Sequence, residues 1–190
     1  PHPEPEELES LVHQLAATLG LEADDARFVL SGVLPSGLRV DVVGTDFSNQ
    51  GPLVVARRPL SDAITPQALV DAGLEGAALE SLATWIKDGS NIIIAGATGS
   101  GRTSVASACA QLIDANERIA IIERRKEIEL SHANVVRLDR DACVASGSLG
   151  EVLESMKVSR VVFDDISGPG LTEFIGLAAV GYRGLIGVMK

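Results

Sequence analysis

The residues with the clearest chemical potential are Gly96-Ala97-Thr98-Gly99-Ser100-Gly101-Arg102-Thr103. Three glycines let the backbone turn where a side chain would forbid it. The loop amides can then converge on an anion, helped by the positive end of a following helix. The hydroxyl of Thr103 is placed to ligate Mg²⁺, and the spacing Gly-x-x-x-x-Gly-x-Thr is that of a phosphate-binding P-loop. One position departs from it. Lysine is expected before the threonine, and Arg102 stands there. A guanidinium is wider and planar where an ammonium is a point charge, so Arg102 could hold phosphate, displace its outermost group, or fill the site itself.

Such a site also needs acids at the ends of neighbouring strands, to hold Mg²⁺ through water and to orient an attacking water. Asp164 and Asp165 close the apolar run Arg160-Val161-Val162-Phe163, and Glu123 closes Ile119-Ala120-Ile121-Ile122. A pair of solvated acids opening a loop is the plain alternative for Asp164 and Asp165. The basic run Arg124-Arg125-Lys126 has no interleaved aromatic residue and reads as a solvated face. His2, His13 and His132 form no metal-ligand spacing and suit surface or capping roles. Cys109 fits a core helix and Cys143 carries no signal. Ser104 and Ser107 lack a paired base.

These residues require a particular scaffold. The loop follows Asn91-Ile92-Ile93-Ile94-Ala95, a continuously apolar run expected to be a central strand buried on both faces. A helix is expected over 102–113, then strands over 119–122 and 135–138. A helix over 149–156, a strand over 160–165, a helix over 171–179 and a strand over 185–188 complete the alternation. That order predicts a doubly wound parallel α/β sheet, with the acids on its ligand-binding edge. Ahead of it, Leu8, Leu11, Val12, Leu15 and Leu19 mark a helix ended by Gly20. Strands are expected over 27–30, 38–43 and 53–57, with turns at Leu34-Pro35-Ser36-Gly37 and Asn49-Gln50-Gly51-Pro52. The expected organisation is a small α+β domain over 1–60, a helical connector over 61–89 and the nucleotide-binding core over 90–190. In the connector, Thr65 caps a helix with Pro66 in its first turn, and Leu79, Leu82, Ala83 and Ile86 line the inner face of the next.

Composition agrees. Of 190 residues, 46% are hydrophobic but only 3% aromatic, so the core is aliphatic, and the net charge of −10 argues against a nucleic-acid partner. Two distant cysteines suit a reducing cytoplasm, and no apolar run is long enough to span a bilayer. The chain opens on Pro1 rather than Met, which reads as a fragment or a processed chain.

From Leu11 onward the sequence resembles the hexameric ATPases of bacterial type II and type IV secretion and type IV pilus assembly, nearest the tight-adherence branch. The resemblance runs through Leu11-Val12-His13-Gln14-Leu15-Ala16-Ala17, Leu34-Pro35-Ser36-Gly37-Leu38-Arg39-Val40, Gly51-Pro52-Leu53-Val54-Val55-Ala56-Arg57-Arg58, the loop itself, and 117–130, 135–138 and 159–168. It implies a RecA-like P-loop NTPase core behind a small α+β domain, with ATP and Mg²⁺ as ligands. It implies that Arg39 and Arg57 are arginines of the N-terminal domain, with Arg57 reaching toward nucleotide phosphate. Glu123 becomes the general base, Glu127 the second glutamate of an acidic box, and Asp165 the Walker B acid. It also implies homo- or hetero-hexamers, inner-membrane platform partners and a cytoplasmic place at the inner membrane face.

The departures fall on chemistry. Arg102 replaces lysine, Arg124 an aspartate and Asp165 a glutamate. The Gly-His-Asp-Gly of the histidine box reads Gly181-Tyr182-Arg183-Gly184, and Lys190 stands at a later histidine. The expectation is a pseudo-ATPase with an assembly or regulatory role. The alternatives are a slow but active motor and, outside secretion, a P-loop kinase or GTPase, although no Asn-Lys-x-Asp motif is present.

Overall fold

The computed structural model describes residues 5–20, 29–45, 51–58 and 64–189. Pro1, His2, Arg27-Phe28, Asn49-Gln50 and Lys190, which carry expectations above, lie outside the described residues. The chain divides into two compact units, Pro1–Leu60 and Ser61–Lys190.

The first unit holds α1 (Pro5–Thr18) and an antiparallel sheet of β1 (Val29–Val33), β2 (Arg39–Val43) and β3 (Leu53–Arg57) in that order. Strand alternation decides which side packs. Val40 and Val42 are buried with Val12 and Ala16 of the α1 stripe, while Arg39 and Asp41 face away. The β1–β2 turn needs a left-handed residue, and Gly37 supplies it at φ 81°.

The second unit begins with α2 (Pro66–Asp71) and α3 (Gly76–Lys87). Thr65 accepts a hydrogen bond from Ala68 N at 3.2 Å, capping α2 with Pro66 in its first turn. Then come β4 (Ile92–Ala95), α4 (Arg102–Ala110), β5 (Ile119–Glu123), β6 (Val135–Asp139), α5 (Arg140–Ser146), α6 (Leu149–Ser155), β7 (Arg160–Phe163), α7 (Pro169–Ala179) and β8 (Leu185–Met189). The five strands form one parallel sheet in the order β4-β8-β7-β5-β6.

Alternate residues of β5 feed two cores, one on each face. Ile119 and Ile121 pack with Ile86 and with α4 residues Ala106, Cys109 and Ala110. Ala120 and Ile122 pack with Leu149, Leu153, Phe174 and Leu177 from α6 and α7. Each fully buried isoleucine contributes about 1.5–3 kcal/mol.

One expectation is corrected, and one element was not foreseen. The strand before the loop is not central: among the described residues β4 pairs only with β8. Nor are both of its faces covered: burial alternates, with Ile92 and Ile94 against the core and Ile93 49% exposed. A run of three isoleucines suits either place, because periodicity is silent where every residue is apolar. Helix α5, over 140–146, was not expected. Its signals were Asp139, whose carboxylate accepts from Ala142 N at 2.8 Å, and Gly147 in the left-handed region after its last turn.

Candidate functional site

The loop 96–101 leaves the C-terminal end of β4 and runs directly into α4. Gly99 and Gly101 adopt φ of 79° and 86°, which side chains resist. Ser100 N donates to Ala97 O at 3.1 Å, closing a tight turn. A Cβ on Gly96 would lie 2.7 Å from Ser100 Oγ, so a side chain there would have to turn the serine hydroxyl aside. The loop residues Gly96, Ala97, Thr98, Gly99 and Ser100 are exposed, so the loop is open to a ligand.

Arg102 does not project away from the loop. Its Nη1 donates to Gly96 O, the first carbonyl of the same loop. The guanidinium therefore curls over the turn that it follows.

Thr103 Oγ1 lies 3.1 Å from Asp164 Oδ1, and Asp164 is 4% exposed. The structure thus brings Thr103 to the first of the two aspartates. Asp165 faces elsewhere. Its Oδ2 pairs with Arg140 Nη1 at 3.1 Å, and its Oδ1 accepts from Ser167 N at 2.8 Å and from Ser167 Oγ. Arg140 also donates from Nη2 to Ser167 O at 2.9 Å. Its Nε is buried without a hydrogen-bond partner.

Glu123, 5% exposed, ends β5 as expected. Its Oε2 accepts from Glu127 N at 3.0 Å and Ile128 N at 3.1 Å, and its Oε1 accepts from Arg137 Nη1. Arg137 Nη2 further donates to Ile128 O at 2.8 Å. Both carboxylate oxygens are thus committed to the loop after β5. Arg124 pairs with Asp141 at 2.9 Å in solvent, which raises its pKa.

Arg39 and Arg57 stand directly opposite each other across β2 and β3. Like charges so placed repel, and Arg39 is relieved by Asp41, 3.7 Å away. Both belong to the first unit, whereas the loop belongs to the second.

The segment Gly181-Tyr182-Arg183-Gly184 precedes β8, so it lies at the N-terminal edge of the sheet, opposite the loop. A four-residue strand spans roughly 13 Å. These residues fall at a strand entrance, at the end of β4 and β8 away from the loop. Gly184 N donates to Gly89 O at 2.8 Å, and Arg160 lies beneath, paired to Glu117 at 2.6 Å. His132 accepts from Asn134 N at 3.2 Å, a local capping bond, and His13 is exposed. Among the described residues no group of three His, Cys, Asp or Glu could hold a metal ion. No helix of the described residues is long and apolar enough to cross a membrane.

Sequence reasoning missed Arg140, Arg137 and the pairing of Thr103 with Asp164. Only Arg140 had a local signal, the helix start at Asp139.

Comparison with known proteins bears on the fold and the family. The chain is 30% identical to the conjugal transfer protein TrbB of Rhizobium radiobacter, over 88% of this chain and 54% of that protein. The crystal structure of the VirB11 ATPase from the Brucella suis type IV secretion system, in complex with sulphate, superimposes with a TM-score of 0.55. It is 27% identical, over 97% of this chain and 62% of that one. The pilus retraction motor PilT with bound ADP gives a TM-score of 0.64 at 14% identity, over 98% of this chain and 54% of that one, a likeness of fold. The chain spans little more than half the length of the curated relatives it matches. The five-stranded parallel sheet is the core of the RecA-like secretion ATPases. Residues 31–152 match the family described as type II/IV secretion system protein, and the chain belongs to that family.

Proposed function

We propose that the loop 96–103 binds the phosphates of ATP and that hydrolysis is weak or absent, the chain acting as an assembly or regulatory subunit. The observation that carries this reading is Arg102 Nη1 donating to Gly96 O. The cation that should meet the outer phosphates is turned onto the loop itself. Two further contacts support it. Glu123, the expected general base, spends both oxygens on backbone and Arg137, and Asp165, the expected Walker B acid, is held by Arg140 and Ser167. Relatives that include a VirB11 ATPase in complex with sulphate support an anion as ligand.

In this reading Mg²⁺ accompanies the nucleotide beside Thr103. The donor set suits Mg²⁺, which takes few protein oxygens and completes its shell with phosphate and water. The machine is a type II or type IV secretion or type IV pilus system. The chain works there in homo- or hetero-hexamers with inner-membrane platform proteins, in the cytoplasm at the membrane face.

A second reading is a slow motor. The left-handed glycines and the Thr103–Asp164 contact are compatible with it, since a motor would need both. Family membership leaves the kinase and GTPase alternatives without support.

Phosphate release from Mg-ATP, measured for the wild-type chain and Arg102→Lys, tests the reading. The expected result is negligible turnover in both, because Glu123 and Asp165 remain committed. Wild-type turnover on the order of 1 s⁻¹, within the ordinary enzyme range, would overturn the pseudo-ATPase and establish the motor.

A further inference from the structure

Asp164 and Asp165 are neighbours in sequence but engage opposite surroundings. We propose that Asp164 is the acid facing nucleotide-bound Mg²⁺, and that Arg140 is a positioning residue that keeps Asp165 out of that role. The assignment rests on the nucleotide-binding reading above and adds which residues meet the metal.

Three observations carry it. First, Thr103 begins the second position of α4, where the phosphate loop ends, and its Oγ1 is 3.1 Å from Asp164 Oδ1. A hydroxyl and a carboxylate at that separation can exchange their mutual hydrogen bond for one cation or its water shell without backbone movement. Second, Arg140 is almost fully buried and carries a permanent charge. A buried guanidinium requires an anionic partner, and Asp165 Oδ2 at 3.1 Å provides it. Releasing Asp165 toward the loop would strand that charge, whose Nε already lacks a partner. Third, the fold makes room for the pair. A Cβ on Gly170 would lie 3.1 Å from Asp165 O, a tight approach, and 3.5 Å from Arg140 Nη2, an ordinary contact, so the start of α7 packs closely on the Asp165 backbone beside the guanidinium. Ser167 fixes the other oxygen of Asp165 at the same time. The order of the two acids in the chain therefore does not predict which one meets the metal; Arg140 does.

The test uses a fluorescent ATP analogue titrated against the chain in Mg²⁺ and in EDTA. The wild-type protein is expected to bind at least about tenfold more tightly with Mg²⁺. Asp164→Asn should reduce that ratio to within about twofold of unity, a loss of the size seen when a metal site loses one supporting carboxylate. Asp165→Asn should leave the ratio within about twofold of wild type. Because that change strands Arg140, the double variant Arg140→Gln/Asp165→Asn is measured too and should behave likewise. If Asp165→Asn or the double variant abolishes the Mg²⁺ response while Asp164→Asn keeps it, the assignment is overturned. Equal wild-type affinity in Mg²⁺ and EDTA overturns it while nucleotide binding stands. No binding in either condition overturns the nucleotide reading and the assignment together.

Discussion

Thr103 Oγ1 meets Asp164 Oδ1 at 3.1 Å, joining residues 61 positions apart across the mouth of the parallel sheet. The contact ties the start of α4 to the end of β7, so it has a structural value apart from any ligand. Thr103→Val keeps the shape and removes the donor. Urea denaturation should show a loss of about 1–2 kcal/mol, whereas Thr103→Ser should lose less than half of that.

Glu123 holds the loop after β5 through two backbone amides and Arg137. Glu123→Ala leaves Arg137 without its carboxylate and is expected to cost about 3–5 kcal/mol in denaturant unfolding without ligand. A variant of unchanged stability would show that these contacts do not hold the loop.

Gly184 has φ 68°, and a Cβ there would fall 1.9 Å from Arg160 Nη1. Gly184→Ala should lower the melting temperature by several degrees through strain and displacement of the Arg160–Glu117 pair. Gly76→Ala, at a helix position with nothing within 4 Å of the added atom, should be neutral or stabilising.

Burial raises the Cys109 thiol from 9.0 to about 11. The folded state holds this proton more tightly than the unfolded chain, so the contribution is complete below pH 9 and is lost as pH rises toward 11. Stability should decline by up to roughly 3 kcal/mol across that window, and Cys109→Ala should remove the decline. Cys143 is only partly buried. A thiol reagent at pH 8 should therefore modify Cys143 in the native chain, and Cys109 only after unfolding.

The parallel sheet, the loop and the helix after it were legible because glycine spacing and alternating apolar segments report on local backbone. The three isoleucines of β4 hid its edge position, since an all-apolar run carries no record of which face is covered. The partners of Asp164 and Asp165 were hidden for another reason. Adjacent residues past a strand end can turn either way, and the choice is made by Arg140, 25 residues upstream of Asp165. Arg137 and Glu123 were likewise joined by sheet pairing, which no spacing rule between the two segments encodes. The Gly181–Gly184 segment showed its departure in sequence but not its edge.

The phosphate loop hangs from β4, which is held along one flank by β8. Among the described residues that strand has one neighbour, so backbone pairing steadies the cradle from a single side.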